Sequence, residues 1–356
     1  MIDLLPQIKD WLAKGEEVAV ATVIRVIGSA PRPVGAKLIV SSAGRMAGSV
    51  SGGCVETTVY EEMMDVLDGG PPRSLCFGIT DDMIWDVGLA CGGTIDVFVQ
   101  RLDPALVTAL RDYVAQGKSV ALATLVAGPD AIGSAALITP EGVVLGPDDK
   151  RVTAIAQAML ATRAEAGAVH AIAPGTEVFV EPFLPPPVLI VIGGVHVAIP
   201  LTRFAKELGF YVIVADPRAK FANRERFPEA DEILVEWPDE ALAHLKVDEA
   251  TYLVLLTHDP KIDEPTLAAA LQTDARYIGA IGSRKTHAAR FERMAKWGVT
   301  AEQLRRVYAP IGLDLGGHTP EETALSIIAE VVAVKNGRSG GSLRDASGPI
   351  GLMVLD

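Results

Sequence analysis

The 356-residue chain reads as an α/β protein in two parts: an N-terminal α/β domain with an internal two-fold repeat, followed by a doubly wound parallel sheet. Three observations predict this. The stretch K-D-W-L-A-K-G-E-E-V-A-V-A-T-V-I (Lys9 to Ile24) returns as R-D-Y-V-A-Q-G-K-S-V-A-L-A-T-L-V (Arg111 to Val126), an offset of 102. From Val188 onward, short apolar runs rich in β-branched residues alternate with helical stretches, the signature of parallel strands joined by crossovers. Apolar residues make up 49% of the chain and aromatics 5%, so the cores are aliphatic, as suits buried strands flanked by helices.

Each copy of the repeat reads as the end of an amphipathic helix, a Gly stop and a buried strand. Next, Gly35 to Gly48 (G-A-K-L-I-V-S-S-A-G-R-M-A-G) matches Gly133 to Gly146 (G-S-A-A-L-I-T-P-E-G-V-V-L-G). The offset there is 98, so the second copy lacks four residues of the intervening loop. Both copies close on a strand, I-D-V-F-V-Q from Ile95 and T-E-V-F-V-E from Thr176. They are read as halves (about 1–102 and 103–183) of one domain over 1–183, with a shared sheet as one arrangement open to them. F-L-P-P-P marks a stiff linker at 184–187.

The second domain, 188–335, is expected to carry strands at Val188–Ile192, Tyr211–Ala215, Glu232–Glu236, Thr251–Leu256 and Arg276–Ile281. A helix runs to about Leu208, a helical piece covers K-F-A-N-R-E-R-F, and a basic helix follows G-S-R-K-T. The last helix starts at Thr319, where T-P-E-E is a capping box with Pro in the first turn. The Gly/Ser-rich tail, 336–356, is expected to be flexible.

Two stretches of the first half have no counterpart in the second. G-S-V-S-G-G-C-V-E (Gly48 to Glu56) faces P-D-D-K-R-V, and G-L-A-C-G-G (Gly88 to Gly93) faces A-I-A-P-G. The first half also carries the extended loop G-S-A-P-R-P-V-G (Gly28 to Gly35). A fold that needed these glycines and cysteines would need them twice, so Cys54 and Cys91 are read as functional. Glycines allow close backbone approach, free amides at a helix start hold oxyanions, and a thiolate is a soft ligand or nucleophile. Cys76, in R-S-L-C-F, reads as a strand-core residue.

In the second domain the turn Gly193, Gly194, Val195, His196, Val197, Ala198 resembles the Rossmann fingerprint G-x-G-x-x-G/A, with Val195 in place of its second glycine. A β-branched side chain there is expected to obstruct a pyrophosphate, so the Rossmann-like fold is predicted while NAD(P) binding is not. Asp216 stands where a ribose-binding acid would sit. His258 and Asp259 lie at the carboxyl end of a strand, either to relay protons and orient a ligand or, for Asp259 before Pro260, to cap a helix. Ser283, Arg284 and Lys285 open another helix, as an anion site or as a solvated basic turn. Neither a G-x-S-x-G elbow nor a G-x-x-x-x-G-K-[ST] loop occurs, which leaves hydrolase and nucleoside-triphosphatase readings little support.

The net charge of −13 argues against nucleic acid and anionic membranes as partners. The run Val188 to Leu201 is too short to span a bilayer, and M-I-D-L-L-P lacks a basic leader, so a cytoplasmic location with reduced cysteines is expected.

Together these segments resemble the xanthine dehydrogenase accessory factor (XdhC/CoxI) family of molybdenum cofactor chaperones. The resemblance rests on G-S-A-P-R-P-V-G-A-K, G-S-V-S-G-G-C-V-E and G-L-A-C-G-G-T-I-D-V in the first domain. It continues in the second with L-T-H-D-P-K-I-D-E-P, Y-I-G-A-I-G-S-R-K-T-H and P-I-G-L-D-L-G-G-H-T-P-E-E-T-A-L-S-I. Val195 departs from it, because the family usually has Gly there.

The resemblance implies a soluble, dimeric protein without turnover of its own. Such a protein binds the molybdenum cofactor (molybdopterin, or its nucleotide form), promotes its sulfuration with a cysteine desulfurase, and delivers it to a molybdenum hydroxylase. It further implies Ser51, Gly52, Gly53, Cys54, Cys91, Gly92 and Gly93 around the metal or dithiolene. Gly193, Gly194, Asp216, Ser283, Arg284 and Lys285 would form a second anionic-ligand site, with His258 and Asp259 between the two. The competing readings are an NAD(P)-dependent oxidoreductase and a cofactor-modifying enzyme that uses Cys54.

Overall fold

The computed structural model describes residues 1–78, 93–129 and 131–345. The chain divides at Pro185/Pro186 into two compact units. In the first, α1 (Leu5–Ala13) leads into β1 (Val18–Ile27), β2 (Lys37–Ser41), β3 (Met46–Gly48), α2 (Glu56–Leu67), β4 (Arg73–Phe77) and β5 (Thr94–Arg101). The order then repeats as α3 (Pro104–Ala115), β6 (Val120–Ala127), β7 (Ala135–Thr139), β8 (Gly142–Leu145), α4 (Lys150–Ala161), β9 (Ala168–Ala173) and β10 (Thr176–Phe183).

The halves do not share a sheet. Each builds its own, in the order β3-β2-β1-β5-β4 and β8-β7-β6-β10-β9. All pairings in both sheets are antiparallel. One helix covers one face of each sheet. Val59, Met63 and Val66 of α2 pack on Ala21, Val23, Leu38 and Val97. Ala156 and Leu160 of α4 pack on Ala121, Ala123, Ile138 and Val178.

Repeat-related residues then meet each other. Ile24 and Phe98 of the first half form one buried cluster with Val126 and Phe179, their counterparts in the second. Arg25 spans another such pair, with Nη1 2.9 Å from Asp96 and Nη2 3.3 Å from Glu177. Lys37 Nζ, buried on β2, lies 2.8 Å from Glu181 of β10.

Gly48 and Gly146 close the third strand of each half, with φ of 86° and 95°. A Cβ on either would overlap a carbonyl oxygen of the neighbouring strand, Lys37 O or Ala135 O. The same glycine is therefore required twice by the fold. Cys76 corrects an expectation. It is exposed, not in the core, because β4 is an edge strand whose Ser74 and Cys76 face away from the packed side.

The second unit contains β11 (Val188–Ile192), α5 (Ala198–Glu207), β12 (Tyr211–Ala215), β13 (Glu232–Leu234), α6 (Pro238–His244), β14 (Thr251–Leu255) and α7 (Pro260–Ala270). It continues with β15 (Tyr277–Ala280), α8 (Arg284–Met294), α9 (Ala301–Leu304), β16 (Val307–Tyr308) and α10 (Pro320–Lys335). The parallel sheet runs β13-β12-β11-β14-β15-β16, which is the Rossmann-like, doubly wound arrangement.

Strand alternation splits the core of this unit. Leu189, Val191, Val212 and Val214 face Leu201, Ala205, Ile327 and Val331 of α5 and α10. Ile190, Ile192, Leu253 and Leu255 face Leu242, Ile262, Leu267 and Met294 of α6, α7 and α8. The capping box at Thr319 forms with Glu322. K-F-A-N-R-E-R-F is a series of turns and bends, not a helix: Asn223 spends its side chain on the Ala219 and Lys220 carbonyls, and Phe227 is fully buried. The sixth strand, β16, is two residues long and too short to leave a hydrophobic period. β11 and β14 flank the point where the chain reverses its direction across the sheet, and loops at their carboxyl ends frame a crevice.

Candidate functional site

The loop from Ser49 to Val55 is held by one side chain, Glu56. Its Oε1 accepts from Ser49 Oγ at 2.6 Å, Ser51 N at 2.9 Å and Val50 N at 3.2 Å. Its Oε2 accepts from Gly53 N at 2.8 Å and from the Ser51 hydroxyl. The remaining amides are also taken: Ser49 N donates to Lys37 O at 2.8 Å, Gly52 N to Ser49 Oγ at 2.8 Å, and Cys54 N and Val55 N both to Ser51 Oγ at 3.0 Å. Burial opposes ionisation of Glu56, but the donors from Ser49, Ser51 and Gly53 outweigh it and hold the carboxyl at about 2.

The amides that the glycine pattern offered to an outside anion are thus spent internally, on Glu56 and on the Ser49 and Ser51 hydroxyls. Ser51 is buried and frames the loop from within. What the loop presents outward is Cys54, which is exposed. The second half has nothing like it. Seven residues (49–55) separate Gly48 from α2, whereas three (147–149) separate Gly146 from α4. There Asp149 caps the helix directly, accepting from Arg151 N at 2.9 Å.

Another first-half motif comes to the same place. The 28–35 loop passes over the Cys54 loop, with Arg32 Nε 3.4 Å from Ser49 O and Pro31 within 3.9 Å of the position a Cβ on Gly52 would take. It also crosses Gly93, where a Cβ would overlap Ser29 O. Cys91 and Gly92 lie outside the described residues. Among the described residues no group of three His, Cys, Asp or Glu side chains converges as a metal site.

In the crevice of the second unit, Asp216 is fully buried. Its Oδ2 accepts from Gly194 N at 3.0 Å and Arg218 Nη2 at 2.7 Å, and its Oδ1 from Arg218 N at 2.9 Å and Nε at 2.8 Å. Burial works against its charge, yet the donors from Arg218 and Gly194 keep the carboxyl below the usual range. Gly193 packs against Thr257. Val195 is half-buried and packs against the core cluster. The amide of Gly194 is committed to Asp216.

Asp259 caps α7, accepting from Lys261 N at 3.0 Å, and His258 beside it is exposed. Ser283 caps α8 through Thr286 N at 3.1 Å, with Arg284 and Lys285 exposed. Beneath these exposed groups runs a buried chain that the motif reading did not single out. Thr257 donates to Asp263, Arg290 Nη2 lies 2.6 Å from Asp263 Oδ2, and Arg290 Nη1 lies 3.3 Å from His287 Nδ1. Burial, with Arg290 beside it, lowers the His287 imidazole, and burial raises Asp263. The signal available for it was the i,i+3 spacing of His287 and Arg290 on one face of α8. Arg32, Glu56 and Arg218 were likewise passed over, because their roles depend on where side chains turn.

These features define an α/β protein with an exposed thiol on a two-sheet N-terminal unit, followed by a Rossmann-like unit. Residues 189–331 match the XdhC Rossmann domain and residues 11–78 match the XdhC and CoxI family. The chain belongs to the XdhC/CoxI family. It is 28% identical over 325 residues to a probable xanthine dehydrogenase subunit of Bacillus subtilis, covering 90% of this chain and 94% of that one. It is 26% identical over 326 residues to the molybdenum cofactor insertion chaperone PaoD of Escherichia coli, covering 91% and 85%. The crystal structure of a xanthine dehydrogenase from Bacillus halodurans superposes with a TM-score of 0.71 at 28% identity, over 97% of both chains. Among the described residues no helix is long and apolar enough to cross a membrane.

Proposed function

We propose that this protein is a molybdenum cofactor-binding chaperone. In this reading it receives the cofactor, assists its sulfuration together with a cysteine desulfurase, and inserts it into a xanthine dehydrogenase-type molybdenum hydroxylase. It acts as a homodimer in the cytoplasm and turns nothing over itself. The similarity to PaoD supports the class of activity. The observation that carries the site is Cys54, exposed on a loop that only one of two equivalent halves possesses and that Glu56 fixes internally.

A thiolate is a soft donor suited to a thiophilic metal centre, so Cys54 contacts the metal or dithiolene of the cargo. Cys91, Gly92 and Gly93 complete the pocket, and Ser51, Gly52 and Gly53 shape its floor. Arg32, exposed beside the loop, offers a cation to the anionic pterin. Gly193, Gly194, Asp216, His258, Asp259, Ser283, Arg284 and Lys285 belong to a second anionic-ligand site in the crevice of the Rossmann-like unit.

Purified protein is expected to take up molybdenum cofactor stoichiometrically, read by molybdenum content and cofactor absorbance. Cys54→Ala and Cys91→Ala are each expected to weaken binding. Wild-type affinity in both variants removes the thiol site.

A further inference from the structure

In a doubly wound sheet the acid at the end of the second strand ordinarily accepts the hydroxyls of a nucleotide's ribose, about 20 residues after the glycine turn. Asp216 holds that place, 22 residues after Gly194. It cannot do that work here. It is fully buried, and both oxygens are filled by Arg218 and the Gly194 amide. A ribose hydroxyl would find no acceptor.

The group that does reach solvent at this position is the Arg218 guanidinium, whose side chain is 43% exposed. Nε and Nη2 are fixed by Asp216, which leaves the Nη1 edge turned away from the carboxylate. One face of the guanidinium lies over the Phe221 ring at 4.0 Å. Arg226 approaches the same ring at 5.7 Å and donates from Nη2 to Gly194 O at 2.9 Å, so a second cation sits beside the turn. Asp259 lies within electrostatic reach of Arg218, but its carboxylate is engaged as the cap of α7.

A guanidinium held rigid by a buried carboxylate and an aromatic ring is pre-organised to pair with the oxygens of a phosphomonoester, and little freedom is lost when one binds. We propose that Arg218 is the specificity-determining residue of this crevice, and that the crevice takes a nucleotide bearing a phosphomonoester on its ribose in preference to one with a free 2′-hydroxyl. The proposal concerns binding within the second unit, and it stands or falls independently of the thiol site in the first.

The test uses the full-length protein and two probes that differ by one phosphate, adenosine 2′,5′-bisphosphate and adenosine 5′-monophosphate, titrated by calorimetry. The bisphosphate is expected to bind about tenfold tighter or more. Arg218→Ala should abolish that difference, and Arg218→Lys, which keeps the charge but loses the planar fork, should retain only part of it. The thermal melting curve checks that each variant is folded; should the alanine variant fail, the lysine variant and the two probes on wild-type protein still decide. Equal affinities, no binding of either probe at millimolar concentration, or a preference that survives both substitutions overturns the proposal. Competition by inorganic phosphate as effective as the bisphosphate also overturns it, since that would mark an unselective anion site.

Discussion

Glu56 organises the Cys54 loop by accepting from five donors. Hydrogen bonds to a charged group contribute ~1.5–3 kcal/mol each at most, and their loss here is partly shared by loop relaxation. Glu56→Gln is therefore expected to lower unfolding free energy by ~1.5–3 kcal/mol in urea, since its amide nitrogen would face donors. The carboxyl is depressed from 4.5 to about 2, so its contribution is complete above about 4.5 and fades as pH falls through about 2. Wild type and Glu56→Gln should differ at pH 6 and converge near pH 2. A gap that stays constant with pH would show that the carboxylate is not the origin. From the sequence this stretch was legible as an anion-holding loop with a thiol. That its anion is its own Glu56 was not legible, because the direction in which a side chain folds back leaves no trace in residue spacing.

At the scale of elements, the repeat makes a paired prediction. Gly48→Ala and Gly146→Ala each force a side chain into a positive-φ position against a carbonyl oxygen of the adjacent strand. Both are expected to cost at least ~1–3 kcal/mol, and by similar amounts, in chemical denaturation. A tolerated substitution at Gly48 alone would break the equivalence of the halves. Those halves were legible because β1 and β6, β2 and β7, and β5 and β10 keep their apolar patterns. Strand direction was not, since a strand buried in an antiparallel sheet shows the same run of Val, Ile and Ala as one in a parallel sheet. In the second unit the five longer strands and the Thr319 cap were legible from alternation and capping chemistry. The 220–227 segment was misread because its helix-forming residues are overruled by the burial of Phe227 and by the contact of Arg226 with Gly194.

Taken as a whole molecule, the first unit is tied together by residues far apart in the chain. Lys37 and Glu181 form a buried pair between the halves, with Thr22 Oγ1 3.3 Å from the ammonium. Removing one partner strands the other, so Lys37→Met is expected to destabilise by ~3–5 kcal/mol. The double variant Lys37→Met with Glu181→Leu should recover most of that loss in the same urea titration. A double variant no better than the single one would show that packing, not the unpaired charge, sets the cost. The central claim is that Cys54 is the contact for the molybdenum cofactor, and Cys76, also exposed, is its natural control. The decisive measurement is cofactor affinity of purified wild-type, Cys54→Ala and Cys76→Ala proteins. The account predicts a loss of about tenfold or more in Cys54→Ala and wild-type affinity in Cys76→Ala. Wild-type affinity in Cys54→Ala would contradict it.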